Sequence, residues 1–193
     1  MFDGSEVVIA GNTITMEKDS PDWTEFAILV GAVTYGSRLD VVGNEIVDVD
    51  DAIETQGITG VVNIADNLLR NNRYGVHVYS WISDDTDEPV QIYIEGNEFD
   101  GNEYGVFLDC TISLDEAGSI FRILENAFTG STEFAVYNAD GFFTVDATEN
   151  WWGDETGPYH DPDNPDGEGD PVSDDVLFAP WYVDEGMTEL SSP

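Results

Sequence analysis

The chain has 193 residues, of which 41 are acidic and five basic, giving a net charge of −36. Nucleic acid and anionic membranes are poor partners, because both are polyanions and the sequence lacks basic patches to meet them. Hydrophobic residues make up 41% and aromatic residues 12%, so the chain can bury a core despite a charge that in a less apolar sequence would mean disorder.

A length of 193 residues is one domain, or one with an appendage. Like charges about 8 Å apart in water repel by on the order of 0.5 kcal/mol, and about 1 M salt shortens the screening length to about 3 Å. The composition is therefore that of a protein adapted to multimolar salt, as in haloarchaea. An acidic, calcium-binding secreted protein is the other reading.

In chain order, an alternating apolar run followed by Asn recurs, anchored at Asn12, Asn44, Asn67, Asn97, Asn126 and Asn150, with spacings of 32, 23, 30, 29 and 24 residues. Such periods mean stacked repeats. Three residues before each anchor stand Ile9, Val41, Ile64, Ile94, Ile123 and Ala147. Five before stand Val7, Leu39, Val62, Ile92, Phe121 and Val145, and two after stand Ile14, Ile46, Leu69, Phe99, Phe128 and Trp152. A later strand supplies Ile28, Ile53, Val76, Val106 and Val136, each preceded by Ala or Gly. Period-2 alternation with the same parity in every copy predicts short strands whose apolar faces stack. No segment has helical period. The Asn column fits a turn that needs a left-handed residue, and stacked Asn side chains can bond from coil to coil.

Three polar inserts interrupt the repeats, at Met16–Glu25, Ser80–Pro89 and Cys110–Gly118. They are tolerated surface loops, or the walls of a binding surface. After Asn150 the composition shifts to Gly, Pro, Asp and Trp, predicting a cap in which Trp151, Phe178 and Trp181 lie over the last coil. The expected organisation is a β-helix over 1–150, a capping segment over 151–183, and a frayed tail or linker over 184–193. The first strand starts at Glu6 with nothing before it to cover the first coil. Since solenoids need capped ends, the chain is expected to be a piece of a longer protein.

The pattern N-x-[IFL]…[YF]-[GA]-V resembles the right-handed parallel β-helix repeat of pectate-lyase-like and NosD-like proteins and of many prokaryotic surface proteins. The segment NWWG…GP…GD…PW is similar to the one that often closes such helices. The resemblance implies an all-β, single-stranded right-handed parallel β-helix, a solenoid of about six coils with a C-terminal Trp/Pro/Gly-rich cap. It also implies an extracellular or cell-surface location. It does not imply one chemistry, because the scaffold carries many.

Enzymes of this superfamily use paired acids or a base with calcium, and the hydrolase Gly-His-Gly and Arg-x-Lys patterns and the epimerase DPHE are absent. Asp40 and Asp146 point outward but lie far apart along the axis, whereas glycosidase carboxyls need about 5–9.5 Å. Arg122 is the single outward basic residue in the strand columns, with no Lys beside it. No catalytic residue is assigned. The expected role is a structural, adhesive or glycan-binding module; a polysaccharide lyase, epimerase or hydrolase is the alternative, and a viral tail-spike-like module a second. No metal or cofactor site is assigned, although Asp161, Asp163, Asp166, Glu168 and Asp170 offer oxygens of the kind calcium takes. Cys110 is alone, so no intrachain disulfide forms, and no apolar run is long enough for membrane insertion. His160 is expected to be a hydrogen-bonded loop residue.

A polysaccharide or cell-surface glycan is the expected partner. Alternation places His77, Phe107 and Tyr137, each following an inward Val, as a ladder on the outer face. Flat rings at one-coil spacing suit stacking on sugars, with Tyr79, Asp109 and Arg122 as polar contacts. The competing reading is a small satellite core, since cross-strand aromatic pairs stabilise a sheet by about 0.2–1 kcal/mol each.

Overall fold

The computed structural model describes residues 4–16, 26–31, 33–80, 90–110, 120–139, 141 and 143–192. The three polar inserts lie almost wholly outside these.

Each coil is three short strands. The first has β1 (Glu6–Ala10), β2 (Thr13–Thr15) and β3 (Phe26–Val30); the second β4 (Arg38–Val42), β5 (Glu45–Val47) and β6 (Asp51–Gln56). The third has β7 (Val61–Ala65), β8 (Leu68–Arg70) and β9 (Tyr74–Ser80); the fourth β10 (Gln91–Glu95), β11 (Glu98–Asp100) and β12 (Tyr104–Cys110). The fifth has β13 (Ile120–Leu124), β14 (Ala127–Thr129) and β15 (Phe134–Asn138), followed by β16 (Val145–Asp146) and β17 (Val176–Leu177). Like strands of successive coils pair in parallel, giving a first sheet β1-β4-β7-β10-β13-β16-β17, a second of five strands and a third of five. This is a parallel β-helix. Ile64 pairs with Val41 on one side and Ile94 on the other, the register the repeat predicts.

The interior is the predicted set of columns. Val41, Ile64, Ile94, Ile123 and Ala147 are fully buried, as are Ile46, Leu69, Phe99, Phe128 and Trp152. Phe99, Phe128 and Trp152 stack at 4.6 Å and 5.1 Å between ring centres. Val7 departs from the pattern at 50% exposure, because β1 is the edge strand of its sheet. Fully burying an aliphatic side chain stabilises by about 1.5–3 kcal/mol, so the inner coils carry most of the stability.

The Asn column forms a continuous ladder. Asn44 Nδ2 donates to Asn67 Oδ1, Asn67 to Asn97, and Asn97 to Asn126, each at 2.9 Å. Each backbone N–H in turn donates to the next side-chain oxygen, as Asn67 N does to Asn97 Oδ1 at 3.0 Å. The left-handed residue is the one before each Asn, namely Gly11, Gly43, Asp66, Gly96, Glu125 and Glu149. This corrects the expectation that Asn itself takes up the positive φ. The turn leaves Asn free to face inward, where its amide closes the ladder. A second, shorter ladder joins Asn72 and Asn102 at the next corner, with Asn72 N donating to Asn102 Oδ1 at 2.9 Å.

Beyond Asn150 the chain continues the solenoid. Trp151 bridges Ala127, Val172 bridges Val136, and β17 pairs with β16. Trp151 and Phe178 are buried, and Trp181 packs against the core. Asp170 fastens this segment to the fifth coil, accepting from Gly130 N at 3.0 Å and Ser131 N at 2.7 Å, and burial raises its carboxyl pKa. Where a frayed tail or linker was expected, the chain turns back: Tyr182 bridges Leu190, and Ser191 N donates to the Trp181 carbonyl at 2.7 Å.

Candidate functional site

The outer face of the third sheet carries the side chains singled out by sequence, but in a different pattern. At the corner entering each strand, two consecutive residues face inward: Ala52 and Ile53, Gly75 and Val76, Gly105 and Val106, Ala135 and Val136 are all buried. A Cβ on Gly75 would lie 2.7 Å from the Phe99 ring, and one on Gly105 2.8 Å from the Phe128 ring. These glycines make room for the large inward rings of the next coil. With two inward residues in a row, alternation is broken, and positions 74 and 77 both face out. The single expected ladder is therefore double.

One column reads Phe26, Asp51, Tyr74, Tyr104 and Phe134, and the other Leu29, Glu54, His77, Phe107 and Tyr137. Tyr74 stacks on Tyr104 at 5.4 Å and Tyr104 on Phe134 at 6.3 Å; His77 meets Phe107, and Phe107 meets Tyr137, both at 5.3 Å. Rings also touch across the columns, as Tyr104 does Phe107 at 5.1 Å and Phe134 does Tyr137 at 4.9 Å. All are half-buried. Burial is the main reason the Tyr74 and Tyr104 hydroxyls have raised pKa values. Tyr79 and Asp109 lie on the same strands and pair in register. Arg122 does not join them. It projects from the first sheet, 3.9 Å from Asp146 of the following coil.

Sequence reasoning missed Tyr74, Tyr104 and Phe134. Their signal was the first position of [YF]-[GA]-V, but strict alternation assigns that position to the interior unless the small residue is read as a corner.

In the second coil the same two columns carry acids, and with His77 they form a trio. His77 Nδ1 is 2.9 Å from Asp51 Oδ1 and 3.6 Å from Glu54 Oε2. The Asp51 and Glu54 side chains are each only 6% exposed, and His77 15%. Gln56 Nε2 donates to the other Glu54 oxygen. Among the described residues these three are the one group of metal-ligating side chains whose donor atoms converge, all within 4.8 Å of one another. The capping acids do not converge. Asp161, Asp163, Asp166 and Glu168 are exposed, and Asp170 is committed to the fifth coil.

At the other end of the ring columns, Phe134 and Tyr137 border an open cleft of about 700 Å3 that also holds Tyr159, His160, Asp161 and Asp174. The His160 backbone exchanges hydrogen bonds with Asn164 at 3.2 Å and 2.8 Å, and its ring lies 3.4 Å from Asp163 and 3.3 Å from Asp174. The cleft lining is acidic and contains no Lys or Arg among the described residues.

Parallel sheets stacked around a buried Asn ladder define the class as a parallel β-helix repeat protein. Residues 5–150 match the family described as "Periplasmic copper-binding protein (NosD)". The chain belongs to the NosD family. No curated protein and no solved structure matches it. Among the described residues, no helix is long and apolar enough to cross a membrane.

Proposed function

We propose that this chain is a non-catalytic β-helix module, working in high salt on the extracellular side of the membrane, whose third-sheet face binds a neutral polysaccharide. The observation that carries this reading is the double column of half-buried rings ending in an open cleft. Ring faces at one-coil spacing offer apolar surface to the C–H faces of pyranose rings. The charge of the site selects against uronates, since Glu133, Asp161, Asp174 and Asp175 line the cleft and a polyanion would be repelled. The outward groups that could serve a hydrolase or a lyase are engaged elsewhere: Arg122 lies on another sheet beside Asp146, and Asp40 is bonded to Arg38. The net charge of −36 supports a high-salt setting, and the family's periplasmic description supports the location.

The family description also brings copper. Copper(I) is held by thiolate and thioether ligands. Among the described side chains, Met16 packs on the core at the first coil and Met187 sits in the C-terminal turn. Among the described side chains, no thiolate or thioether set fits copper(I).

The test is retention of the chain on immobilised neutral and uronate polysaccharides in multimolar salt. Retention by a neutral polymer, lost in Phe107→Ala and Tyr137→Ala with little change in melting temperature, is the expected result. Binding indifferent to both substitutions would refute the ring-face site, and release of soluble sugar would refute the non-catalytic role.

A further inference from the structure

We propose that Asp51, Glu54 and His77 bind one divalent transition ion of the borderline class, zinc or copper(II). The proposal stands apart from the polysaccharide reading. It begins with a cost: two carboxylates over nine-tenths buried face one another across a single imidazole. Buried charges of this kind are paired or coordinate a metal. Among the described residues His77, even protonated, offsets one of the two negative charges, whereas a divalent ion offsets both.

Two of the three donor separations fit a shared ion, and all three donor atoms lie within 4.8 Å of one another. Zinc bonds to nitrogen and oxygen at about 2.0–2.1 Å, so two ligands at a tetrahedral angle stand roughly 3.3 Å apart. The separations from His77 Nδ1, 2.9 Å and 3.6 Å, bracket that value. Gln56 holds the remaining Glu54 oxygen, the kind of outer contact that orients a ligating carboxylate. Coordination through Nδ1 leaves the proton on Nε2, the buried nitrogen that has no hydrogen-bond partner, among the rings of Tyr74 and Phe107. The donor set also selects the ion. An imidazole with two carboxylates suits zinc or copper(II), while calcium and magnesium prefer all-oxygen shells. Three protein ligands leave a fourth position open, as in sites that bind a water or an exogenous ligand.

The fold explains why the site appears once. Asp51 and Glu54 reach it only because the corner at Ala52 turns positions 51 and 54 to the same face, and His77 comes from the next coil, in register with Glu54. The first coil places Phe26 and Leu29 at these positions and the third to fifth coils place rings there, so coil stacking does not require the acids.

The test uses the full chain, stripped with a chelator and held in concentrated salt. Zinc titration by calorimetry should show one tight ion per chain above the weak background of an acidic surface. Asp51→Asn and His77→Gln should each weaken that event at least about tenfold, and Gln56→Ala about 10-fold to 100-fold if it orients Glu54. Zinc should raise the melting temperature of the wild type but not of His77→Gln. The chain has two histidines, so His160→Gln leaves His77 as the only imidazole, and its copper(II) spectrum should retain coupling to one nitrogen. That arm remains decisive if His77→Gln fails to fold. Loss of the coupling in His160→Gln, or identical zinc isotherms for wild type and a folded His77→Gln, would overturn the proposal. Polysaccharide retention, measured separately, bears on neither outcome.

Discussion

Two positions in the same repeat behave in opposite ways. At the turn between the first and second sheets, Asn stands in every coil, and from the second coil onward it is buried. On the outer face of the third sheet, the corresponding positions change from acids in the second coil to His and Tyr in the third and to rings in the fourth and fifth. The difference is one of hydrogen-bond accounting. A buried Asn must satisfy a carbonyl and two N–H groups, and only another Asn one coil away completes the pattern. On the outer face the backbone ladder fixes the strand whatever the side chain is, so the side chain is available for other chemistry.

The largest test of this contrast sets Asn97→Ala against Phe107→Ala. Asn97 Oδ1 accepts from Asn67 N and Asn67 Nδ2, and its amide donates to the Ile64 carbonyl and to Asn126 Oδ1. Truncation strands several buried groups at about 1–3 kcal/mol each, for an expected loss of about 3–5 kcal/mol after partial relaxation. Phe107 is half-buried and loses ring contacts worth about 0.5–1.5 kcal/mol. Chemical denaturation in high salt measures both. Equal losses would mean that the outer rings are a second core and not a site.

The same contrast explains what the sequence revealed. The inward columns and the Asn ladder were legible because each repeats one chemical type at one offset, and Val41, Ile64, Ile94 and Ile123 are fully buried as read. The left-handed position was misassigned because its identity varies among Gly, Asp and Glu, which hides it beside a constant Asn. On the third sheet, His77, Phe107 and Tyr137 were found because simple alternation holds after the inward Val. Tyr74 and Asp51 were not, because their direction depends on a corner that only the packing of Gly75 against Phe99 makes visible. The Asp51, Glu54 and His77 trio was invisible for a further reason: His77 lies 26 residues from Asp51, and the signal is an exception in a column.

That corner yields an intermediate effect. A Cβ at Gly75 would sit 2.6 Å from the Gly105 carbonyl oxygen and 2.7 Å from the Phe99 ring, so Gly75→Ala should cost about 1–3 kcal/mol by overpacking. One coil earlier, Ala52 occupies the equivalent corner and the next coil supplies Leu69, so a smaller inward residue is compatible with Ala. Combining Gly75→Ala with Phe99→Leu should therefore show a favourable coupling of about 0.5 kcal/mol or more in a double-mutant cycle. Strict additivity would show that the backbone contact alone requires glycine.

The smallest effect concerns an outer column that changes identity without becoming a site. On the first sheet, Asp40 accepts from Arg38 Nε at 2.8 Å and Arg38 Nη2 at 2.6 Å, and from Asn63 Nδ2 at 3.1 Å. The hydrogen bonds from Arg38 are the main cause that lowers its carboxyl pKa from the ordinary 3.8. A carboxyl depressed in the folded state stabilises fully above 3.8 and loses that contribution as pH falls through the folded value. Asp50 and Asp170 have the opposite sign: burial raises both, so their penalty is present above the folded values and vanishes on acidification. The acid limb of the wild type therefore mixes the two trends, and Asp40→Asn separates them. The difference in melting temperature between wild type and Asp40→Asn should be positive near neutral pH and shrink towards zero below pH 3.8, at constant high salt. Half of the Arg38 side chain is exposed, so solvent and salt screen the pair and the whole difference stays small. A difference that grows on acidification would mean that Asp40 belongs with Asp50 and Asp170, as a buried charge that the fold tolerates rather than one it uses.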